Sequence, residues 1–348
     1  MQPTDDGRTG IHNATEPNLL DESAALDYLV WLRILSHPPY SVQSLGGGVS
    51  NVVLSCRDSR RAVVVKQSLA RLRVSAEWTA PRERILTEAA ALRLVATMTP
   101  DEVPQVLHVD SVLQAIVIAK APDAWTDWKT QMLSGVVRPA IASRVGHLLA
   151  LWHTGTMASE ISEAPMFADP RAFESLRVDP YYRTVALSHP ELADGISDVV
   201  HRMASTRVCL VHGDFSPKNM LVDGETGDQV WVIDFEVAHL GDPTFDVAFL
   251  ISHLFLKSLH LPHLARDFDD CAAAFLASYR SAGGGFDPHY LLQQVGALLL
   301  ARVFGKSPVE YLSWQQRARA ARIGAHLLKG TTTTYVQLIE LRDRETTT

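Results

Sequence analysis

Asp214, Asn219 and Asp234 lie within one stretch, Leu210 to Leu254, whose residue types and spacing suit a single kind of chemistry. The run LVHGDFSPKNMLVDGETGDQVWVIDFEVAHLGDPTFDVAFLISHL opens with an apolar approach and a polar loop carrying His212, Gly213, Asp214 and Asn219. A short strand at Met220–Val222, a turn rich in Asp and Gly, and a second apolar strand at Val230–Ile233 ending on Asp234 read as a hairpin. Because a hairpin returns to where it began, Asn219 and Asp234 fall at one end, beside Asp214. Phosphoryl transfer from a nucleotide needs hard oxygen ligands for magnesium and a carboxylate that orients or deprotonates the accepting hydroxyl. Asn219 and Asp234 suit the metal; Asp214 suits the base.

The combination of HGD, then Asn219, then IDFE and GDPTFD resembles the aminoglycoside phosphotransferase and choline kinase-like superfamily of small-molecule kinases. The resemblance runs from Val42 onward and is strongest from Val211 to Ala248. It implies an α+β, bilobal protein-kinase-like fold, with a small antiparallel-sheet N-lobe and a larger, mainly helical C-lobe. It also implies ATP and Mg2+ as cofactors, Asp214 as catalytic base, Asn219 and Asp234 as magnesium ligands, and Asp246 as a brace for the catalytic loop. Glu236 follows where protein kinases have glycine. It either ligates or repels a second magnesium or accepts a hydrogen bond from the glycine loop, and it is the weaker metal candidate. Asp242, in GDP, is expected to hold a turn through backbone amides.

The elements that must position these groups are legible upstream. Gly46, Gly47 and Gly48 separate two strand-like segments in Val42–Cys56, and glycines let backbone amides approach phosphate oxygens. Ser50 and Asn51 stand where the superfamily has a similar Ser-Asn after its glycine hairpin. No Gly-Lys-Ser/Thr follows, so this is not a Walker A loop. Lys66 closes the strand AVVVKQ; it either snorkels from an edge strand or turns its ammonium toward nucleotide phosphates. In the following helix, about 81–97, Glu88 is the expected partner of Lys66, as in kinase-like folds, and Glu83 is a solvated acid at the helix start. Strands at 103–109 and 111–119 complete the sheet. Backbone groups of Ile118, Ala119, Lys120 and Ala121 are expected to meet the adenine edge at a hinge, by their order along the chain.

Beyond the hinge the pattern is helical. Segments at 138–153, 247–261, 267–281, 288–303 and 313–328 carry apolar residues at helical spacing, and His153 is expected to brace the loop near Asp214. Residues 159–179 lack a period and read as an irregular insertion on the substrate side. The first 18 residues read as a loose tail, 19–36 as a helix, and the Thr331–Thr334 run and the ending RDRETTT as frayed. The expected organisation is therefore a tail at 1–18, a nucleotide-binding lobe at 19–121 and a catalytic and substrate lobe at 122–348.

Composition excludes several classes. Three cysteines, odd in number and far apart, give no disulfide framework and suit a reducing cytosol. The N-terminus has neither a basic nor an apolar signal region, and no apolar run reaches membrane-spanning length. A net charge of −7 offers no electrostatic reason to bind nucleic acid. The expected partner is a small-molecule hydroxyl acceptor: a sugar derivative, amino alcohol, hydroxy acid or antibiotic. Beyond Leu250 the acids Asp267, Asp269, Asp270, Asp287 and Glu310 are matched by Arg302, Lys306, Arg317, Arg319, Arg322 and Lys329, a mixture that weakens the reading of a polycationic drug as acceptor and leaves a neutral or anionic one at least as well supported. The expected protein is a cytoplasmic, ATP- and magnesium-dependent kinase; the alternative is an inactive kinase-like protein that binds nucleotide or a partner.

Overall fold

A computed structural model describes residues 19–46, 49–73, 78–157, 164–224 and 229–345. The first part is an antiparallel sheet of β1 (Ser41–Ser44), β2 (Asn51–Arg57), β3 (Ala62–Ser68), β4 (Val106–Asp110) and β5 (Ala115–Ala119), in the order β1-β2-β3-β5-β4. Period-two alternation sorts its two faces. Val63, Val65, Val52, Leu54 and Val117 pack beneath α1 (Glu22–Trp31), against Ala25 and Leu29. Val64, Ile116 and Ile118 pack on the opposite face against Ile85, Ala89 and Leu92 of α2 (Arg84–Ala96). Lys66, two residues after Val64, falls on the α2 face. Since β3 is the central strand, the snorkelling edge-strand reading of Lys66 does not hold.

Helix α1 is shorter than the apolar spacing suggests. The Asp21 carboxylate caps it by accepting from the Ala24 amide at 2.8 Å, and Arg33, at φ 57°, turns the chain away just past its end. The tail through residue 18 lies outside the described residues, as do Gly47 and Gly48.

Past β5, the two-residue strand β6 (Thr126–Asp127) leads into α3 (Trp128–Leu133), whose first turn is capped by Asp127. Helix α4 (Pro139–Gly155) starts with proline at a position where a missing N–H matters least. It lies along α7 (Ala265–Ser281), close enough that a Cβ on Gly146 would stand 2.5 Å from the Phe275 carbonyl oxygen. The segment expected to be an irregular insertion is helical for much of its described length. Short helices at Pro165–Ala168 and Arg171–Phe173 run into a wide π-helical stretch, Glu174–Arg183, then Thr184–Ser188 and α5 (Ala193–Ser205). Pro180 lies inside the π-helical turns, where an ordinary α-helix would clash with its ring.

The catalytic stretch forms β7 (Cys209–Val211), β8 (Met220–Val222), β9 (Val230–Val232) and β10 (His239–Gly241). Strand β7 pairs with β10, and β8 pairs with both β6 and β9. Helix α6 (Pro243–His260) follows. It is buried along almost its whole length, which its nearly uninterrupted apolar sequence requires. Around it stand α7, α8 (Pro288–Phe304), α9 (Trp314–Leu328) and α10 (Tyr335–Arg344). The polar ending is not frayed through Arg344. Thr334 and Gln337 form a capping box, and buried Arg342 grips Asp269 of α7 through two bonds of 2.7 and 2.8 Å and Ser258 of α6 at 3.1 Å. Composition alone hides that anchor. No helix among the described residues is long and apolar enough to cross a membrane.

Candidate active site

The loop leaving β7 is shaped from below by Asp246, in the first turn of α6. Its carboxylate accepts the His212 amide at 2.6 Å and the Gly213 amide at 2.9 Å, and lies 3.3 Å from His153 Nε2. His153 Nδ1 meets the Tyr279 hydroxyl at 2.8 Å, so this histidine sits beneath the loop, away from the reacting groups. Gly213 has φ +76°, and a Cβ there would come within 2.8 Å of the Val237 carbonyl oxygen. His212 accepts the Asp214 amide on Nδ1 at 3.1 Å and points Nε2 at the Ile233 carbonyl at 3.1 Å, which fixes the proton on Nε2. Burial lowers its pKa further and keeps the ring neutral. Asp242 caps α6 by accepting the Thr244 amide at 2.9 Å.

Asp214 is buried yet held ionised. Burial alone would raise its pKa, but Arg177 and Lys218 outweigh that and keep it below the ordinary carboxylate value. Arg177 Nη2 lies 2.9 Å from Oδ1, Lys218 Nζ 2.9 Å from Oδ2, and Asn219 Nδ2 donates to Oδ2 at 2.8 Å. With Nδ2 on Asp214, the Asn219 amide oxygen is the atom left without a protein partner among the described residues.

The hairpin does what its sequence implies. Met220 pairs with Val232, and the Ile233 amide reaches the Asn219 carbonyl at 2.9 Å, so Asn219 and Asp234 stand side by side. Asp234 takes φ +74°, a conformation rare outside glycine, to aim its carboxylate across at Lys66. Lys66 Nζ lies 2.8 Å from Asp234 Oδ1 and 2.7 and 2.8 Å from the two oxygens of Glu88. Burial opposes the Lys66 charge, but Asp234 and Glu88 hold its pKa above the usual lysine value; Asp234 is pulled below its own by Lys66 despite its burial. Glu83 is exposed and makes no capping bond. An amide oxygen and an ionised carboxylate at one mouth form a hard-oxygen donor set of the kind magnesium accepts when phosphates supply other ligands.

Glu236 is placed differently from a free metal ligand. It accepts from Ser50 Oγ at 2.7 Å, Asn51 Nδ2 at 2.9 Å and Arg84 Nε at 3.0 Å. That is the hydrogen-bonding alternative: Glu236 ties the residues after the glycine turn to the catalytic side. In the segment expected to meet the adenine edge, Ile118 pairs with Val64, and the Ala119 amide reaches the Gln105 carbonyl at 2.9 Å, while Lys120 and Ala121 lie beyond the sheet. Gly46 has open space where a Cβ would stand.

Three residues at the site escaped the sequence reading. Lys218 adjoins Asn219 within the motif. Arg84 occupies the α2 face one turn before Glu88, a spacing of four that puts both on the cleft side. Arg177 comes from the aperiodic segment and also donates to the Gly213 carbonyl at 2.9 Å. Its only sequence signal is a lone arginine among Phe, Leu, Val and Tyr.

A small sheet lobe over a helical lobe, with a central-strand lysine paired to a helix glutamate and two carboxylates at the cleft, defines a kinase-like phosphotransferase. The sequence model of the phosphotransferase enzyme family matches residues 41–290, and the chain belongs to that family. It is 26% identical over 280 residues to a methylthioribose kinase from Enterobacter sp. (strain 638), covering 72% of this chain and 69% of that protein. It is 24% identical over 270 residues to methylthioribose kinase 1 of Oryza sativa subsp. japonica, covering 68% of this chain but only 62% of the relative. The amicoumacin kinase hAmiN, solved with AMP-PNP, Ca2+ and Ami, shares the fold: TM-score 0.55 and 17% identity, covering 90% of this chain and 96% of the other.

Proposed function

We propose that the chain transfers the γ-phosphoryl group of ATP to a hydroxyl of a small molecule, with residues 19–121 as the nucleotide lobe and 122–348 as the catalytic and acceptor lobe. The observation that carries this reading is the meeting of Asp214, Asn219 and Asp234 at one mouth, below Lys66 and Glu88. Asn219 Oδ1 and Asp234 would hold magnesium, which would neutralise charge on the phosphates. Lys66, released toward the phosphates from its bond with Asp234, orients the nucleotide, with Glu88 keeping its stem in place. Gly46 to Gly48, Ser50 and Asn51 cover the phosphates, and backbone groups from Ile118 to Ala121 receive the adenine. Asp214 accepts the hydroxyl proton of the acceptor; Arg177 and Lys218 keep it ionised and fix its direction. Three buried free thiols, Cys56, Cys209 and Cys271, suit a reducing cytoplasm.

The test is an ATP-consumption screen with magnesium against hydroxylated metabolites and antibiotics, repeated with Asp214→Asn. Turnover with at least one acceptor, falling about 10²- to 10⁴-fold in the variant while ATP affinity stays near wild type, is the expected result. A variant that turns over normally removes Asp214 from the mechanism.

A further inference from the structure

Past Asp214, the interior of the helical lobe is basic. Lys257 of α6 is fully buried. Among the described residues its ammonium makes one bond, to the His253 carbonyl at 3.3 Å, and it lies 5.6 Å from the centre of the Tyr311 ring. Arg302 of α8 donates to the Tyr181 hydroxyl at 3.2 Å and to Ser307 at 3.0 Å, and its buried Nε has no partner among the described residues. The buried Tyr311 hydroxyl likewise has none. Among the described residues neither cation has a carboxylate to pair with. Burial pushes the Lys257 pKa down to about 7, and Lys129 and Arg302 push it further in the same direction; Asp127 is the carboxylate that opposes them. Asp127, however, is engaged by the Thr130 amide at 2.8 Å and hydroxyl at 2.7 Å as the α3 cap.

Tyr181 connects this cluster to the reacting groups. Arg302 stands at one side of its ring, 5.8 Å from the centroid, and Arg177 lies 5.7 Å from the same centroid while pairing with Asp214. A half-buried guanidinium without a carboxylate and buried donors without acceptors leave an anion's place unfilled, and an anion there would also restore the charge that burial takes from Lys257. An ammonium-bearing acceptor would bring the wrong sign to this place.

We infer that Lys257 and Arg302, with the Tyr311 hydroxyl, form the acceptor's recognition site for an anionic group, a carboxylate or phosphate carried by the molecule whose hydroxyl faces Asp214. The inference rests on the phosphotransfer reading of that aspartate. It names the substrate class as hydroxy acids or phosphorylated alcohols, and sets this chain apart from kinases of amino alcohols.

The experiment is thermal-shift titration of the full chain, with and without magnesium and AMP-PNP, using four matched sets of probes. These are hydroxy acids such as glycerate, phosphorylated alcohols such as glycerol 3-phosphate, neutral alcohols such as glycerol, and amino alcohols such as ethanolamine and choline. Stabilisation by one or both anionic sets, absent from the neutral and amino sets, is expected; which anionic set responds separates carboxylate from phosphate. Lys257→Met and Arg302→Met should each weaken that response about 10- to 100-fold, with AMP-PNP affinity unchanged. If one variant fails to fold, the other carries the comparison. Amino or neutral alcohols that stabilise as well as the acids, no response to any acid, or variants that respond like wild type would overturn the inference. Failure to bind AMP-PNP would instead refute the kinase reading, and the acid-against-amine comparison without nucleotide would still decide this one.

Discussion

Asp234 shows how a single side chain is made to serve a cleft. Its left-handed backbone is a strained state for a residue with a Cβ, tolerated because it turns the carboxylate toward Lys66 at the end of the hairpin. Asp234→Ala should abolish magnesium-dependent ATP binding, measured by calorimetry, and unchanged affinity would end its assignment as a metal ligand. Lys257 carries a different consequence. Burial, with Lys129 and Arg302 near and only Asp127 opposing, lowers its folded-state pKa from 10.5 to about 7. Below that value both folded and unfolded chains hold the proton. Between about 7 and 10.5 only the unfolded chain holds it, so this residue makes folding stability rise with pH across that window. His253, one turn away, is itself pushed well below the ordinary histidine value by burial and by Lys257, and adds no charge there. Urea midpoints taken at pH 7 and pH 9 should rise less in Lys257→Met than in wild type; equal rises would refute the assignment.

At the scale of elements, the decisive contacts join pieces far apart in sequence. Glu236, just after β9, is gripped by Ser50, by Asn51 at the start of β2 and by Arg84 at the start of α2. Glu236→Gln keeps the shape but removes the charge facing a buried guanidinium. It should lower stability by about 3 kcal/mol, the order seen when one member of a buried ion pair is neutralised. It should also raise the KM for ATP by loosening Ser50 and Asn51, read from denaturation midpoints and saturation kinetics. The sequence exposed Asp214, Asn219 and Asp234 because a short hairpin places them by local geometry alone. Lys66 and Glu88 were legible from a strand followed by a helix. Arg177 and Arg84 were not: each reaches the site only through tertiary packing, and the π-helical turns that deliver Arg177 have neither the 3.6- nor the 2-residue period that betrays ordinary elements. Helix α1 was overestimated for the converse reason, since apolar spacing continues to Leu35 after the backbone has already turned at Arg33.

Over the whole molecule, long-range ties fasten the last helix and the sheet lobe to the helical interior. Arg342, close to the C-terminus, joins α10 to α7 and α6, and Arg342→Leu should lower stability by about 2 kcal/mol by leaving Asp269 without its donor. A melting temperature equal to wild type would show α10 to be dispensable. The sheet lobe is fastened too: the Val232 amide meets the Glu102 carbonyl at 2.8 Å, Trp231 donates to the Asp101 carbonyl at 2.9 Å, and Trp152 donates to Thr99 at 2.9 Å. The bilobal arrangement was readable from element order, whereas these ties were not, because each pairs a backbone group or an indole with a partner that no motif specifies.

Strand β6 is only two residues long, yet it begins a few positions after β5 and hydrogen-bonds to β8, the strand that follows Asn219. A tilt of the sheet lobe about residues 120–125 would therefore reach the backbone beside Asn219, the residue proposed to hold the cation. Base recognition at one end of the nucleotide and cation affinity at the other should not vary independently: substitutions that shift the choice between adenine and guanine are expected to retune the concentration of magnesium the enzyme requires.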